Sequence, residues 1–173
     1  MKFFLWVTFN FVLYSFIGWL IEEAYAYIIK GSFKKEGFLK SPFKPMYGFA
    51  MTILVAFNRI SNPNIFIMAT LCFIVPSIIE YISGDLLKRS FNKVYWDYSN
   101  LTYNLNGLVS LRFSFYWMIL CLIGVYYFQP IVDIVYYSFY SMWSIISLAS
   151  TILMIVDLGL TIKEESKLHT NRI

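Results

Sequence analysis

Little in this chain can ligate a metal or attack a bond. It has one histidine, His169, near its end, and two cysteines, Cys72 and Cys121, each inside an apolar run. Two isolated thiols make neither a disulfide framework nor a metal-ligand cluster. They are expected to pack as small apolar side chains, with no metal and no cofactor. No nucleophile–base pair is visible either. No Gly-x-x-x-x-Gly-Lys-Ser/Thr stretch occurs, so the chain does not hydrolyse ATP by itself. Charge is also scarce. Only 14% of the 173 residues are Asp, Glu, Lys or Arg, against 59% hydrophobic and 21% aromatic. A soluble domain of this length needs more polar surface than that, so hydrocarbon is the expected solvent.

What the chain has in abundance is long apolar runs. Spans are expected near 3–29, 46–60, 64–87, 108–128 and 142–162, the second being short for a helix that needs roughly 20 residues to cross. The first run lacks a small-residue cleavage site and continues into Glu22 and Glu23, so it is expected to remain as an uncleaved span. Asn62 and Pro63 read as a cap and first-turn pair between spans 2 and 3. Span 4 is expected to stop before Gln129 and Pro130, with the aromatic segment 131–139 lying along the interface. The fold class is thus an all-α membrane bundle of about five helices. Residues 1–162 form one transmembrane domain and 163–173 a cytoplasmic tail.

The net charge of +4 could point to nucleic acid, but the cations sit in clusters beside apolar runs, as membrane-flanking charges do. Loop 1 holds Lys30, Lys34, Lys35, Lys40 and Lys44. Loop 3 holds Lys88, Arg89 and Lys93, with Arg112 just beyond. The tail holds Lys163, Lys167 and Arg172. Only Lys2 and Arg59 fall on the other side, which makes twelve cations against two. Positive loops stay in the cytoplasm, so the N-terminus is expected outside and the C-terminus inside, in a multi-pass protein of the cell membrane.

Two stretches look duplicated. Aligning Glu22 with Glu80 sets Lys30-Gly31-Ser32-Phe33-Lys34-Lys35 over Lys88-Arg89-Ser90-Phe91-Asn92-Lys93, identical at four of six positions. Tyr47-Gly48-Phe49 then falls over Asn106-Gly107-Leu108 with one residue of slippage. Two parallel two-helix repeats plus a fifth helix would fit.

Charges inside a span cost about 2.5 to 3.5 kcal/mol at its centre, so each needs a reason. Glu22 and Glu80 each precede a cytoplasmic lysine by eight residues, which puts both on the order of 12 Å inside the helix end. Ser15, Gly18 and Glu22 share one face of span 1. Pro76, Ser77, Glu80, Ser83 and Gly84 share one face of span 3. Such small neighbours suggest helix-facing rather than lipid-facing carboxylates. Arg112 is expected as the counter-charge. Glu22, Glu80 and Arg112 read equally as a polar functional site or as an ion pair that orders the bundle. Glu23 is expected nearer the headgroups, and Asp157 is expected to snorkel.

Both long loops are turn-rich and run straight into a span. Loop 1 does so through Pro45, Tyr47 and Gly48, loop 3 through Gly107. Irregular backbone is tolerated there only when buried in protein or lining a cavity. Asp97, Asn104 and Asn106 are candidates to satisfy that backbone or to meet a ligand. Tyr95, Trp96 and Tyr98 also suit an aromatic belt.

These stretches resemble the CmpB-like, type IV family of bacterial ABC-transporter permeases. The resemblance rests on Ser15-Phe16-Ile17-Gly18-Trp19-Leu20-Ile21-Glu22, then Gly37-Phe38-Leu39 with Pro42, Pro45, Tyr47 and Gly48, then Trp96-Asp97-Tyr98-Ser99 with Asn104-Leu105-Asn106-Gly107. It covers roughly residues 10 to 120. The family usually has Arg after the last glycine, where this chain has Leu108, and Asn-Arg where it has Lys35-Glu36. A Trp-Gly pair appears here as Tyr116-Trp117-Met118. Arg112, one turn after Leu108, is expected to stand in for the missing Arg.

The resemblance implies a permease-like membrane component of a transport system, with a separate ATPase subunit docking at the cytoplasmic loops. A non-catalytic assembly partner is the alternative, followed by an intramembrane lipid-modifying enzyme. An enzyme is the less favoured reading. A bundle this thin also suits a homodimer, with the lipid bilayer as its surroundings.

Overall fold

The computed structural model describes residues 1–33 and 37–170. Expectations placed on Lys34, Lys35, Glu36 and Arg172, and on the side chains of Lys30 and His169, fall outside the described residues.

α1 (Lys2–Lys30) is a single helix of 29 residues, about 43 Å long. It stops at Gly31, whose φ of 68° is left-handed backbone open to glycine. α2 (Pro45–Ser61) starts on a proline, which loses nothing at a first helical position. α3 (Ile65–Phe91) is capped by Asn64, whose side chain accepts the Ile67 N–H at 3.0 Å. The cap is therefore Asn64 rather than Asn62. Asn62 closes α2 in left-handed conformation, and Pro63 lies in the connection.

Residues 92–110 carry a short hairpin, β1 (Asn104–Leu105) paired antiparallel with β2 (Val109–Ser110). Asn106 and Gly107 have φ of 55° and 71°, the positive values a primed hairpin turn requires. α4 (Leu111–Ile123), a π-helical turn (Gly124–Phe128) and α5 (Gln129–Ser138) then follow without a break. The stop expected before Pro130 is absent, and residues 131–138 continue the rod. The wider turn explains why. The Gln129 N–H reaches back to the Gly124 carbonyl, and Pro130, at the start of α5, needs no N–H partner. α6 (Tyr140–Thr170) completes the chain.

Among the described residues, four helical stretches are long and apolar enough to cross a membrane: Lys2–Ile29, Ile65–Phe91, Leu111–Ser138 and Tyr140–Lys167. The expected second span is not among them. At 17 residues, α2 is about 25 Å long, short of a hydrocarbon layer of about 30 Å. The chain is an all-α membrane bundle with this shorter helix packed against α1 and α3.

α1 packs on α2 and α6, α2 on α3, and α3 on α4, whereas α1 and α4 make no extended contact. Trp6, Leu54, Met68, Cys72 and Tyr136 form the centre of the core, each at most 1% exposed. Cys72 and Cys121 are both buried there as free thiols.

Both long loops and the last turns of α6 gather at one end. The Phe38 ring lies 4.8 Å from that of Phe91. Lys93 pairs with Glu165 at 3.1 Å, and Lys40 pairs with Glu164. That carboxylate holds the Lys40 ammonium above its ordinary pKa. Asp157 does not snorkel. It accepts the Ser41 N–H at 2.8 Å as well as the Ser41 hydroxyl, and so ties loop 1 to α6.

The opposite end is closed by a clasp. Asp133 Oδ1 accepts from Trp6 Nε1 at 2.7 Å and from Gln129 Nε2 at 2.9 Å. Arg59 pairs with the same carboxylate at 3.7 Å and lies 4.7 Å over the Trp6 ring.

Candidate functional site

The site begins where loop 1 meets the flank of α1. The Lys44 N–H donates to the Ser15 carbonyl at 2.9 Å, so α2 starts beside the middle of α1, not at its end. Small residues make this approach possible. A Cβ on Gly18 would collide with the Tyr47 ring, and one on Gly48 would collide with the Ser15 hydroxyl and Phe11. Ser15 is fully buried, its own hydroxyl turned to the Phe11 carbonyl at 2.7 Å.

This seating delivers Tyr47 to Glu22. The tyrosine hydroxyl donates to Glu22 Oε1 at 3.0 Å, and Lys44 Nζ stands 3.0 Å from Oε2. Glu22 is therefore paired by the residue that opens α2. Arg112 is not its counter-charge, nor that of Glu80. The Arg112 guanidinium bonds the Tyr116 hydroxyl at 2.9 Å on the exposed side of α4. The geometry of a helix explains this. Trp117 is the α4 side chain turned toward Glu80, and residues five apart differ by about 140° around the axis.

Loop 3 does for Glu80 what α2 does for Glu22. Tyr98 donates its hydroxyl to Glu80 Oε1 at 3.0 Å and stacks on Phe113 at 4.6 Å. Burial, and then the Glu80 charge, raise the Tyr98 pKa well above that of a free phenol, so it remains a donor. The Trp117 indole also approaches the carboxylate. Glu80 is 3% exposed, and its Oε2 has no hydrogen-bond partner among the described residues.

The other loop 3 candidates hold the loop itself. Asn104 Oδ1 accepts the Gly107 N–H at 2.9 Å, and its amide donates to the Leu101 carbonyl at 2.8 Å. Asp97 Oδ1 accepts the Ser99 N–H at 2.8 Å, which keeps this carboxyl below its ordinary pKa. The same oxygen sits where a Cβ on Gly107 would stand. Asn106 donates to the Tyr81 hydroxyl at 3.0 Å. Trp96 lies against Gly84 and donates to the Leu108 carbonyl at 2.9 Å, while Leu108 itself is buried on that glycine.

Two adjoining cavities meet at these residues. An inner one of about 250 Å³ is apolar and runs toward Met51 and Gly124. An outer one of about 930 Å³ contains Glu22, Glu80 and Asp97. Tyr47, Glu80 and Trp117 line both, with the Tyr47 and Trp117 rings edge-on at 5.4 Å. Pro45 and Gly48 stand at the start of α2 and line neither cavity.

Two features escaped the sequence reading. Glu23 is buried, not turned to headgroups. The Trp6–Asp133–Arg59 clasp was visible only as isolated charges. Arg59 and Asp133 are lone opposite charges in otherwise apolar surroundings, and that is the signal that could have paired them.

Fold and site together define a polytopic membrane protein built around a cavity with three acidic side chains. The chain belongs to the family described as "Putative ABC-transporter type IV" (CmpB), whose sequence profile matches residues 9–162. No curated protein and no solved structure matches it.

Proposed function

We propose that this chain is the permease-like, membrane-embedded component of a transport system whose ATPase is a separate subunit. Glu80 carries the reading. A 3% exposed carboxylate, on the wall shared by two cavities and with one oxygen unpartnered, costs stability that a purely structural residue would not retain. Family membership supports the ABC-transporter class.

In this reading the N-terminus lies outside and the C-terminus inside the cell membrane. α2 and residues 37–44 together make the second crossing, and Pro45, Tyr47, Gly48 and Gly107 mark where irregular chain enters. Glu22 and Glu80 bind or gate the solute. The ATPase subunit docks where loops 1 and 3 meet the end of α6, a surface of mixed charge, since Lys40 and Lys93 are paired with Glu164 and Glu165.

The test compares solute profiles inside and outside cells that carry the wild-type chain, the Glu22→Gln/Glu80→Gln double variant, or neither, before and after ATP depletion. At least one solute should redistribute in an ATP-dependent manner with the wild type alone. Profiles that are identical in all three strains would overturn the proposal.

A further inference from the structure

We infer that the gap between α1 and α4 admits an amphiphilic organic cation from the side, with its charged nitrogen at Glu80 and its apolar body in the cavity running toward Gly124. The inference rests on the transport reading for its purpose and on the cavity alone for its test.

Charge chooses the sign. Of the carboxylates around the outer cavity, Glu22 is neutralised by Lys44 at 3.0 Å, and Asp97 is engaged by the Ser99 N–H at 2.8 Å. Glu80 is left with an unpartnered oxygen and 3% exposure. A cation placed there satisfies that oxygen, whereas an anion meets three acids against one lysine.

Aromatic faces choose the kind of cation. Tyr98, Phe113 and Trp117 line the outer cavity together with Glu80, and Tyr98 and Phe113 stack at 4.6 Å. Rings at this density favour a poorly hydrated alkylated or aryl cation over a small inorganic one. Among the described residues, no group of three His, Cys, Asp or Glu side chains converges to hold a metal ion.

The opening chooses the route. α1 and α4 make no extended contact. The rims of the gap are Ile21 and Tyr25 on one side and Ile119 and Leu120 on the other, exposed by 43%, 61%, 52% and 47%. All four are side chains that hydrocarbon wets readily, so an amphiphile dissolved in the bilayer reaches the cavity without crossing water. The outer cavity, at about 930 Å³, is of the size that holds a drug-like molecule.

The full chain in nanodiscs is titrated with benzyltrimethylammonium, read by the change in tryptophan emission and by calorimetry. Saturable binding is expected, with affinity falling about tenfold or more in Glu80→Gln and largely restored in Glu80→Asp. Size-exclusion and melting profiles establish that both variants are folded, and if Glu80→Gln is not, Trp117→Leu serves as the second test with the same expected loss. The neutral counterpart neopentylbenzene should not compete. Equal binding by wild type and folded Glu80→Gln, or equal competition by the neutral molecule, would overturn the inference. So would cysteines at Ile119 cross-linking two copies across a closed gap. Failure here with ATP-dependent flux intact in cells would leave the transport reading standing. Binding without any such flux would do the reverse.

Discussion

The ring of Tyr47 lies on Gly18, in the place a side chain there would occupy. This contact lets the start of α2 press against α1 and carries the Tyr47 hydroxyl to Glu22. Gly18→Ala should therefore push Tyr47 off Glu22. We expect a loss of about 1–3 kcal/mol, read as a lower melting temperature in detergent. Gly159→Ala, inside α6 where a Cβ meets nothing, should not lower the melt.

Glu22 and Glu80 should respond unequally to loss of their tyrosines. Tyr98→Phe removes the hydrogen bond of a carboxylate whose other oxygen is already unpartnered. It should cost about 1–3 kcal/mol, because the buried acceptor is left unsatisfied. Tyr47→Phe leaves Lys44 on Glu22 and should cost only about 0.5–1.5 kcal/mol. Paired melts of the two variants check the order.

Loop 1 should come loose when Asp157 is changed. Asp157→Ala removes the acceptor of the Ser41 N–H and hydroxyl. Amide exchange at Lys40 and Ser41 should speed up about tenfold or more while the core of α1 remains protected. Unaltered exchange at those two amides would show that the tie does not hold the loop.

Acid should loosen loop 3 through Asp97. Its carboxyl lies below the ordinary value of 3.8, first because of the Ser99 N–H and then because of the Ser99 side chain. A depressed folded pKa means that the stabilisation is present above 3.8 and lost as pH falls through the lower folded value. Trp96, one residue away, should report the change as a shift in emission below that pH. Asp97→Asn should flatten the profile.

Accessibility checks the orientation. A cysteine introduced at Asn62 should react with a membrane-impermeant maleimide in intact cells. One at Ser166 should react only after permeabilisation. The reverse pattern would invert the topology read from the lysines.

The apolar runs fixed four long helices in advance, because hydrocarbon selects for them residue by residue. The equal spacing of Glu22 and Glu80 from their lysines puts the two at one depth, and both line the outer cavity. Other features were illegible because they depend on tertiary seating. No local pattern says that α2 starts beside Ser15, since that depth is set by Gly18 and Gly48 meeting side chains from other segments. Pro130 looked like a stop because a π-turn that absorbs it has no composition of its own. Arg112 reads as the counter-charge of Glu80 or Glu22 because it lies a few residues into its span, but the helical phase carries it outward to Tyr116. Asp157 looked solvated because its partner, Ser41, lies 116 residues away.

The two loops do not hang independently. Loop 1 is fastened to α6 at Asp157 and Glu164, and loop 3 is fastened to it at Glu165. Any lever applied to the last turns of α6 is thus felt by both tyrosine-bearing segments at once. A force at the rim of the molecule becomes a joint displacement deep within it.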